Sequence, residues 1–342
     1  MISRQIQLAS RPGPSGPGPE NFHLAEVALG DPGPGEVLLE TLYLSLDPYM
    51  RARMYEGANY AASTALGAPM PGKTVSRVLS SNAPEFQTGD IVESGNGWQS
   101  HHIAKATDLR ALPDLGVPLS AHLGVLGLPG HTGYGGLLRH GRPQPGETVV
   151  VSAATGGVGS MVGQVARIKG CRAVGIAGGA EKCRYLTEEL GFAAAVDRHS
   201  TTFAEDLVAA CPEGIDIYFD NTGGEIFAAC LPLLNTGARV PICGTISVDR
   251  NQPPEQGLDR MQELHALILI KQLTLQGFLF TGLQDMTADF HRDVSQWIAS
   301  GALRYREDIV EGLEQAPEAF LGLFRGENFG KLIVRVAPEA RG

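Results

Sequence analysis

The residues of this chain best suited to chemistry are glycines. Between Thr148 and Ser160 the sequence reads Thr-Val-Val-Val-Ser-Ala-Ala-Thr-Gly-Gly-Val-Gly-Ser, with Gly163 shortly after. The β-branched run predicts a strand, and Val162, Val165, Ala166 and Ile168 recur on one face of a predicted helix that Gly170 stops. A glycine-rich turn between a strand and a helix lets the backbone approach a pyrophosphate, and the N–H groups at the helix start favour its charge. Thr155, Gly156, Gly157, Val158 and Gly159 are therefore candidate dinucleotide-binding residues. The spacing departs from G-x-G-x-x-G, because Gly157 and Gly159 fill the first two positions while Val162 stands at the third. The competing reading is that these glycines only permit a tight turn and close helix packing.

The next strand decides which dinucleotide fits. An NAD site places Asp or Glu about 20 residues beyond the glycine motif, to bind the ribose hydroxyls. This chain has Gly175-Ile176-Ala177-Gly178-Gly179-Ala180-Glu181-Lys182. Gly178 leaves room for a 2′-phosphate, and Lys182 and Arg198 are candidates to supply the positive charge it needs, so NADPH is expected over NADH. Glu181 argues the other way, and Lys182 with Arg184 also reads as an ordinary solvated helix face. Cys243 ends a predicted strand near the expected nicotinamide position, without a neighbour that would activate it as a nucleophile. His101 and His102 are adjacent, which suits opposite faces of a strand rather than joint metal ligation. His131 either faces a pocket or is a structural histidine near a helix start.

These residues need a scaffold, and the chain supplies two kinds. The first part is rich in Pro and Gly between short apolar runs, predicting strands near Ile2–Leu8, Leu24–Ala28, Glu36–Leu44, Lys73–Ser80 and Asp90–Glu93. From Thr148 strands alternate with helical patterns: Thr148–Ser152, Arg172–Ile176, Ala193–Val196, Asp216–Phe219, Arg239–Cys243 and Leu273–Leu279. Six such strands predict a doubly wound parallel sheet. A helix over Ala288–Ala299, a strand near Asp308–Val310, a helix near Pro317–Phe324 and a strand over Lys331–Val336 follow. This tail is too short for a domain and is expected to complete the first one. The expected fold is α/β, with a Rossmann domain (126–304) inserted into a β-rich domain (1–125 and 305–342).

Composition bounds the rest. With 342 residues and 43% hydrophobic content, about two domains can each bury a core. A net charge of −10 argues against a nucleic-acid partner. The strongest apolar stretch, near His265–Ile270, is far shorter than the roughly 20 residues a membrane span needs. Met1-Ile2-Ser3-Arg4-Gln5 lacks the pattern of a secretory signal, and five cysteines cannot all pair within one chain. A cytoplasmic protein with reduced thiols is expected.

Segments spread along the chain carry a family resemblance: Leu44-Ser45-Leu46-Asp47-Pro48-Tyr49-Met50-Arg51, the glycine loop with Val162-Gly163-Gln164, Gly178 to Cys183, Tyr218-Phe219-Asp220-Asn221, Cys243-Gly244, and Gly326-Glu327-Asn328-Phe329-Gly330-Lys331. The chain resembles the zinc-independent branch of the medium-chain dehydrogenase/reductases, especially the prostaglandin/leukotriene reductase and bacterial curcumin-reductase group. The resemblance implies a split, GroES-like barrel around the cofactor domain, NADPH contacted by the glycine loop, Lys182, Asn221 and Asn328, and a homodimer. It implies reduction of the C=C bond of α,β-unsaturated ketones or aldehydes, with hydride passing to the β-carbon and charge gathering on the carbonyl oxygen. Tyr49 is the first candidate to donate a hydrogen bond to that oxygen, and Tyr60 the second pocket residue. Each also reads as a half-buried tyrosine with its hydroxyl bonded to backbone.

The chain also departs from the group. Arg198 stands where members often have tyrosine, and Asp249, in Ile246-Ser247-Val248-Asp249, stands where they commonly place an active-site tyrosine. Asp249 has three open roles: a polar pocket wall, a proton relay or a solvated side chain. Zinc is not expected, since the segment where related alcohol dehydrogenases carry Gly-His-Glu reads Met70-Pro71-Gly72-Lys73-Thr74-Val75 and no cysteine precedes Cys171. Two other readings stay open: a quinone reductase, and a non-catalytic NADPH-binding protein.

Overall fold

The strand at Glu36–Ser45 organises the first part of the molecule. It is buried along nearly its whole length and accepts partners on both edges, as a central strand with an apolar Val-Leu-Leu start and Leu-Tyr-Leu end should. The computed structural model describes residues 1–57, 62–247 and 260–339, and these divide into two units, Met1–Gly124 with Glu307–Gly342 and Val125–Arg306. In the first unit the strands are β1 (Ile2–Leu8), β2 (Phe22–Ala28), β3 (Glu36–Ser45), β4 (Thr74–Ser81), β5 (Ile91–Ser94), β6 (His101–Lys105) and β7 (Arg110–Ala111). A four-residue helix, α1 (Tyr49–Ala52), follows β3.

The carboxy-terminal segment belongs to this unit. Its strands β14 (Glu307–Glu311) and β15 (Lys331–Arg335) join one sheet in the order β14-β15-β3-β4-β5-β7, while β6 pairs with β3. β15 lies antiparallel to β3, with Ile333 opposite Ser45. The helix between them, α9 (Ala316–Arg325), buries Phe320 against Trp98, whose ring centroid lies 5.5 Å away. Ile6, Leu8, Leu44, Leu46, Met50, Trp98 and Leu332 complete that core, each large apolar side chain contributing about 1.5–3 kcal/mol by leaving water.

In the second unit the strands are β8 (Thr148–Val151), β9 (Arg172–Ala177), β10 (Ala194–Asp197), β11 (Ile215–Phe219), β12 (Leu234–Ile242) and β13 (Thr274–Gly277). They form one parallel sheet in the order β10-β9-β8-β11-β12-β13, the 3-2-1-4-5-6 order of a doubly wound dinucleotide-binding sheet. The helices of this unit are α2 (Leu128–Gly136), α3 (Gly157–Ile168), α4 (Ala180–Arg184), α5 (Phe203–Ala210), α6 (Gly224–Cys230), α7 (Met261–Lys271) and α8 (Thr287–Ala299). Glycines bring α2 close to α3: a Cβ at Gly133 would stand 2.7 Å from the Val158 carbonyl oxygen.

Two boundaries in the parallel sheet depart most from the sequence expectation. β12 begins at Leu234, well before Arg239, because Asn-Thr-Gly reads as a turn but is absorbed by a register shift between Ile215 and Ile217 of β11. The Asn235 amide secures that irregularity by donating to Glu213 O at 2.9 Å and to Asp216 Oδ1 at 2.8 Å. β13 ends at Gly277, and the chain then turns into a 3-10 segment, Phe280–Met286. Among the described residues, no helix is long and apolar enough to cross a membrane.

Candidate active site

The carboxyl ends of β8, β9, β11 and β12 bring most of the expected cofactor residues into one unit. β8 is buried on both faces and stops at Val151; the chain then bends through Ala153, whose φ of 49° lies in the left-handed region that a side chain rarely adopts. Gly156 N closes the turn on Ala153 O at 3.0 Å, and α3 starts at Gly157. The N–H groups of Gly157, Val158 and Gly159 occupy the first turn, where a helix offers no internal acceptor. Gly159 sits so close to the Ala153–Ala154 backbone that a Cβ would be 2.8 Å from Ala154 Cα. Gly159 is thus required by the close packing of α3 on the turn, and the N–H groups of the first turn are the donors that fit a dinucleotide pyrophosphate.

The missing third glycine is replaced one position later. A Cβ at Gly163 would enter the Phe192 ring, so Gly163 supplies the close helix packing that the fingerprint assigns to its last glycine. Val162 is fully buried in the core instead.

At the end of β9, Gly178 is walled by two nitrogen-bearing side chains. A Cβ there would be 3.2 Å from Arg198 Nε and 2.9 Å from His199 Nε2. Asp197 shapes this corner by accepting from Gly179 N at 2.8 Å and His199 N at 2.9 Å. Its own burial opposes ionisation, but those backbone donors, together with His199 and Arg198, hold its carboxyl below the usual range. Lys182 lies half-buried on α4 nearby in sequence. His199 was not anticipated, although its position beside Arg198 at a strand end was a usable signal.

Asn221 and Cys243 meet the glycine loop through Asp220. Asn221 donates from its backbone to Ser152 Oγ and from its amide to Ser152 O, both at 2.8 Å. Cys243 N donates to Asp220 O at 2.8 Å. The buried Asp220 Oδ1 accepts from Tyr218 Oη at 2.8 Å, Gly223 N at 2.9 Å and Thr222 N at 3.0 Å. Burial, and then the Asp220 charge, push the Cys243 thiol up to about 12, so it stays protonated at neutral pH and is no nucleophile.

Tyr49 and Asn328 belong to the other unit. Tyr49 is the first residue of α1 and is half-buried against the Trp98–Phe320 core. Asn328 donates from Nδ2 to Gly330 O at 2.8 Å. Tyr60 and Asp249 lie outside the described residues.

The histidines of the sequence reading have structural settings. His131 is in α2, stacked on Phe290 at 4.7 Å and edge-on to Phe280 at 5.2 Å. His102 is buried in β6 while His101 on the opposite face is half-exposed; burial depresses His102 to about 3, leaving it neutral.

The comparisons with known proteins agree on the family. Residues 4–112 match the model for the N-terminal domain of oxidoreductase, and residues 157–300 match that for zinc-binding dehydrogenase. The chain is 51% identical to the NADPH-dependent curcumin reductase of Escherichia coli (strain K12), covering 98% of both chains. It is 42% identical to prostaglandin reductase 1 of Bos taurus, covering 92% of this chain and 94% of that protein. The crystal structure of CurA from Vibrio vulnificus in complex with NADPH superposes with a TM-score of 0.94 at 47% identity, covering 98% of this chain and 99% of that one.

Proposed function

Because this chain belongs to the medium-chain dehydrogenase/reductase family, we propose that it reduces the C=C bond of α,β-unsaturated ketones or aldehydes with NADPH and without zinc. It is an NADP(H)-dependent oxidoreductase of the enone-reductase type. The observation that carries the cofactor choice is the end of β9, where Gly178 has Arg198 and His199 beside it and the nearby Asp197 carboxylate is engaged by the backbone N–H groups of Gly179 and His199.

In this reading residues 126–304 form the NADPH-binding domain, and 1–125 with 305–342 the substrate domain. Thr155, Gly156, Gly157, Val158 and Gly159 bind the pyrophosphate through backbone N–H groups. Gly178 makes room for the 2′-phosphate, Lys182 and Arg198 neutralise it, and His199 offers a ring nitrogen as a further hydrogen-bond partner. Asn221, Cys243 and Asn328 are assigned to the nicotinamide end. When bound, NADPH supplies the hydride that goes to the β-carbon. The Tyr49 hydroxyl donates to the carbonyl oxygen, where charge gathers as the enolate forms, and the α-carbon then takes a proton. Tyr60 and Asp249 are assigned to the substrate pocket.

The zinc-free reading is supported by the chemistry of the Gly72 segment. A Cβ at Gly72 would meet Leu44, Met50 and Trp98 side chains, and Lys73 is occupied by Glu93 at 2.8 Å. Among the described residues, no group of three or more His, Cys, Asp or Glu is arranged to hold a metal.

The test is oxidation of NADPH, followed by nicotinamide absorbance, against enones, enals and quinones with NADH as the paired cofactor. Fast, NADPH-preferring turnover of enones is expected. Turnover confined to quinones, or tight NADPH binding with no turnover, overturns the proposal. Within it, Lys182→Ala and His199→Gln are each expected to weaken NADPH binding about tenfold, the loss of one charge-assisted hydrogen bond, with NADH affinity unchanged. Equal weakening of both cofactors would remove these residues from the 2′-phosphate.

The enzyme is further proposed to be a cytoplasmic homodimer, with no membrane or nucleic-acid partner. All five cysteines are free, as a reducing compartment requires. β13 is an edge strand, and Leu269, Ile270 and Leu279 near it are 79%, 72% and 51% exposed, an arrangement that a second copy would cover. Light scattering should return twice the 36.2 kDa chain mass, and Leu269→Glu with Ile270→Glu should shift it to the monomer value. A monomeric parent protein refutes the dimer.

A further inference from the structure

We propose that Lys331 is a positioning residue for this reaction: from β15 it fixes the Leu46–Asp47 turn that presents Tyr49. Its ammonium is buried and donates to Leu46 O at 2.7 Å and to Asp47 Oδ1 at 2.8 Å. The lysine and aspartate side chains are only 7% and 10% exposed. The second carboxylate oxygen of Asp47 accepts from Ser45 Oγ. An ion pair this dry gains little net stability, because desolvating both charges offsets their attraction. What it supplies is a fixed geometry, and the residues that follow show what is being fixed.

α1 has four residues and no side-chain cap, so it does not hold its own register. Its register comes from two anchors. Asp47 is held by Lys331, and its carbonyl accepts from Met50 N at 3.1 Å. Met50 is fully buried among Leu44, Leu46 and Trp98. Tyr49 lies between these anchors and is itself only half-buried. Moving the Asp47 anchor therefore rotates Tyr49.

The surroundings of the lysine are built around its path. Gly124 has no side chain where the lysine stem passes; a Cβ there would be 3.2 Å from Lys331 Cγ. Glu307 faces the same stem, with Oε2 held by Ser120 Oγ at 2.6 Å and Oε1 buried without a hydrogen-bond partner among the described residues. Burial raises the Glu307 carboxyl, against the opposing effects of Ser120 and Lys331. The ammonium thus turns to Asp47 with both of its protein acceptors on the Tyr49 turn. Lys331 also ends the segment carrying Asn328, so one side chain ties together two segments assigned to substrate and cofactor.

The proposal rests on the reading of Tyr49 as the donor to the carbonyl oxygen, and a double-mutant cycle separates the two. In the full-length enzyme, kcat, enone KM and NADPH Kd are measured for Asp47→Asn, Lys331→Met and Tyr49→Phe, and for each anchor variant combined with Tyr49→Phe. Asp47→Asn keeps the side-chain shape and serves if Lys331→Met does not fold. Either anchor variant is expected to lower kcat at least about tenfold with NADPH Kd held within about twofold, and to cost nothing further in the Tyr49→Phe background. A normal kcat in folded Asp47→Asn, or a full additional loss on top of Tyr49→Phe, overturns the positioning role. A normal kcat in Tyr49→Phe alone overturns the donor reading, and the positioning role with it.

Discussion

Replacing Tyr49 with phenylalanine is expected to lower kcat for enone reduction about 100-fold, the loss of roughly 3 kcal/mol of transition-state stabilisation from one well-placed donor. The ring stays, so its packing against the Trp98–Phe320 core is kept and the protein should fold normally. Only the hydroxyl is lost. Its hydrogen bond strengthens as charge moves to the carbonyl oxygen, so the defect belongs in kcat more than in substrate KM. NADPH affinity should be unchanged, since the groups assigned to its pyrophosphate and 2′-phosphate, the glycine loop, Lys182 and Arg198, are untouched by the substitution. Stopped-flow oxidation of bound NADPH measures the step directly. A rate within about threefold of the parent would remove Tyr49 from the chemistry and make Tyr60 the next residue to replace.

The second large effect is on stability. Asp220→Ala should destabilise the chain by about 3 kcal/mol, because it strands the buried Tyr218 hydroxyl and Thr222 amide and removes the acceptor of the half-buried Gly223 amide, each orphaned buried donor costing about 1–3 kcal/mol with incomplete additivity. Against a total stability of about 5–15 kcal/mol, that is a large share. Asp220→Asn retains a carbonyl acceptor and should cost about half as much. Urea unfolding followed by circular dichroism measures both. Equal stability of the alanine variant and the parent would show that solvent or rearrangement satisfies those donors. In the variants that still fold, NADPH binding should weaken, because Asp220 shares Ser152 and the Asn221 backbone with the glycine loop.

Local pattern made much of this protein legible from its residues alone. Thr148–Val151 is a strand buried throughout, and its continuous β-branched run is what a strand covered on both faces requires. The glycines that follow announced a turn with close backbone approach, and the apolar spacing from Val162 onward announced α3. Six strand-and-helix alternations then led to a doubly wound sheet, since short connections and right-handed crossovers leave few other solutions. The neutral end of β9 was equally readable, because the choice between a ribose hydroxyl and a phosphate turns on charge at one strand end.

Tertiary structure decided what depends on residues far apart in the chain. That Gly163 takes the place of the third fingerprint glycine follows only from the Phe192 ring lying across α3. That His199 joins Arg198 over Gly178 follows from β10 pairing with β9, with Asp197 opposite Ala177. The early start of β12 needed the register shift against β11, which no turn propensity at Asn235-Thr236-Gly237 reveals. The Lys331–Asp47 pair joins positions 284 residues apart. Propensity and periodicity report what a segment prefers within a few residues. Which buried charge meets which, and which glycine a distant ring makes necessary, is fixed only when the sheets close and bring those segments into contact.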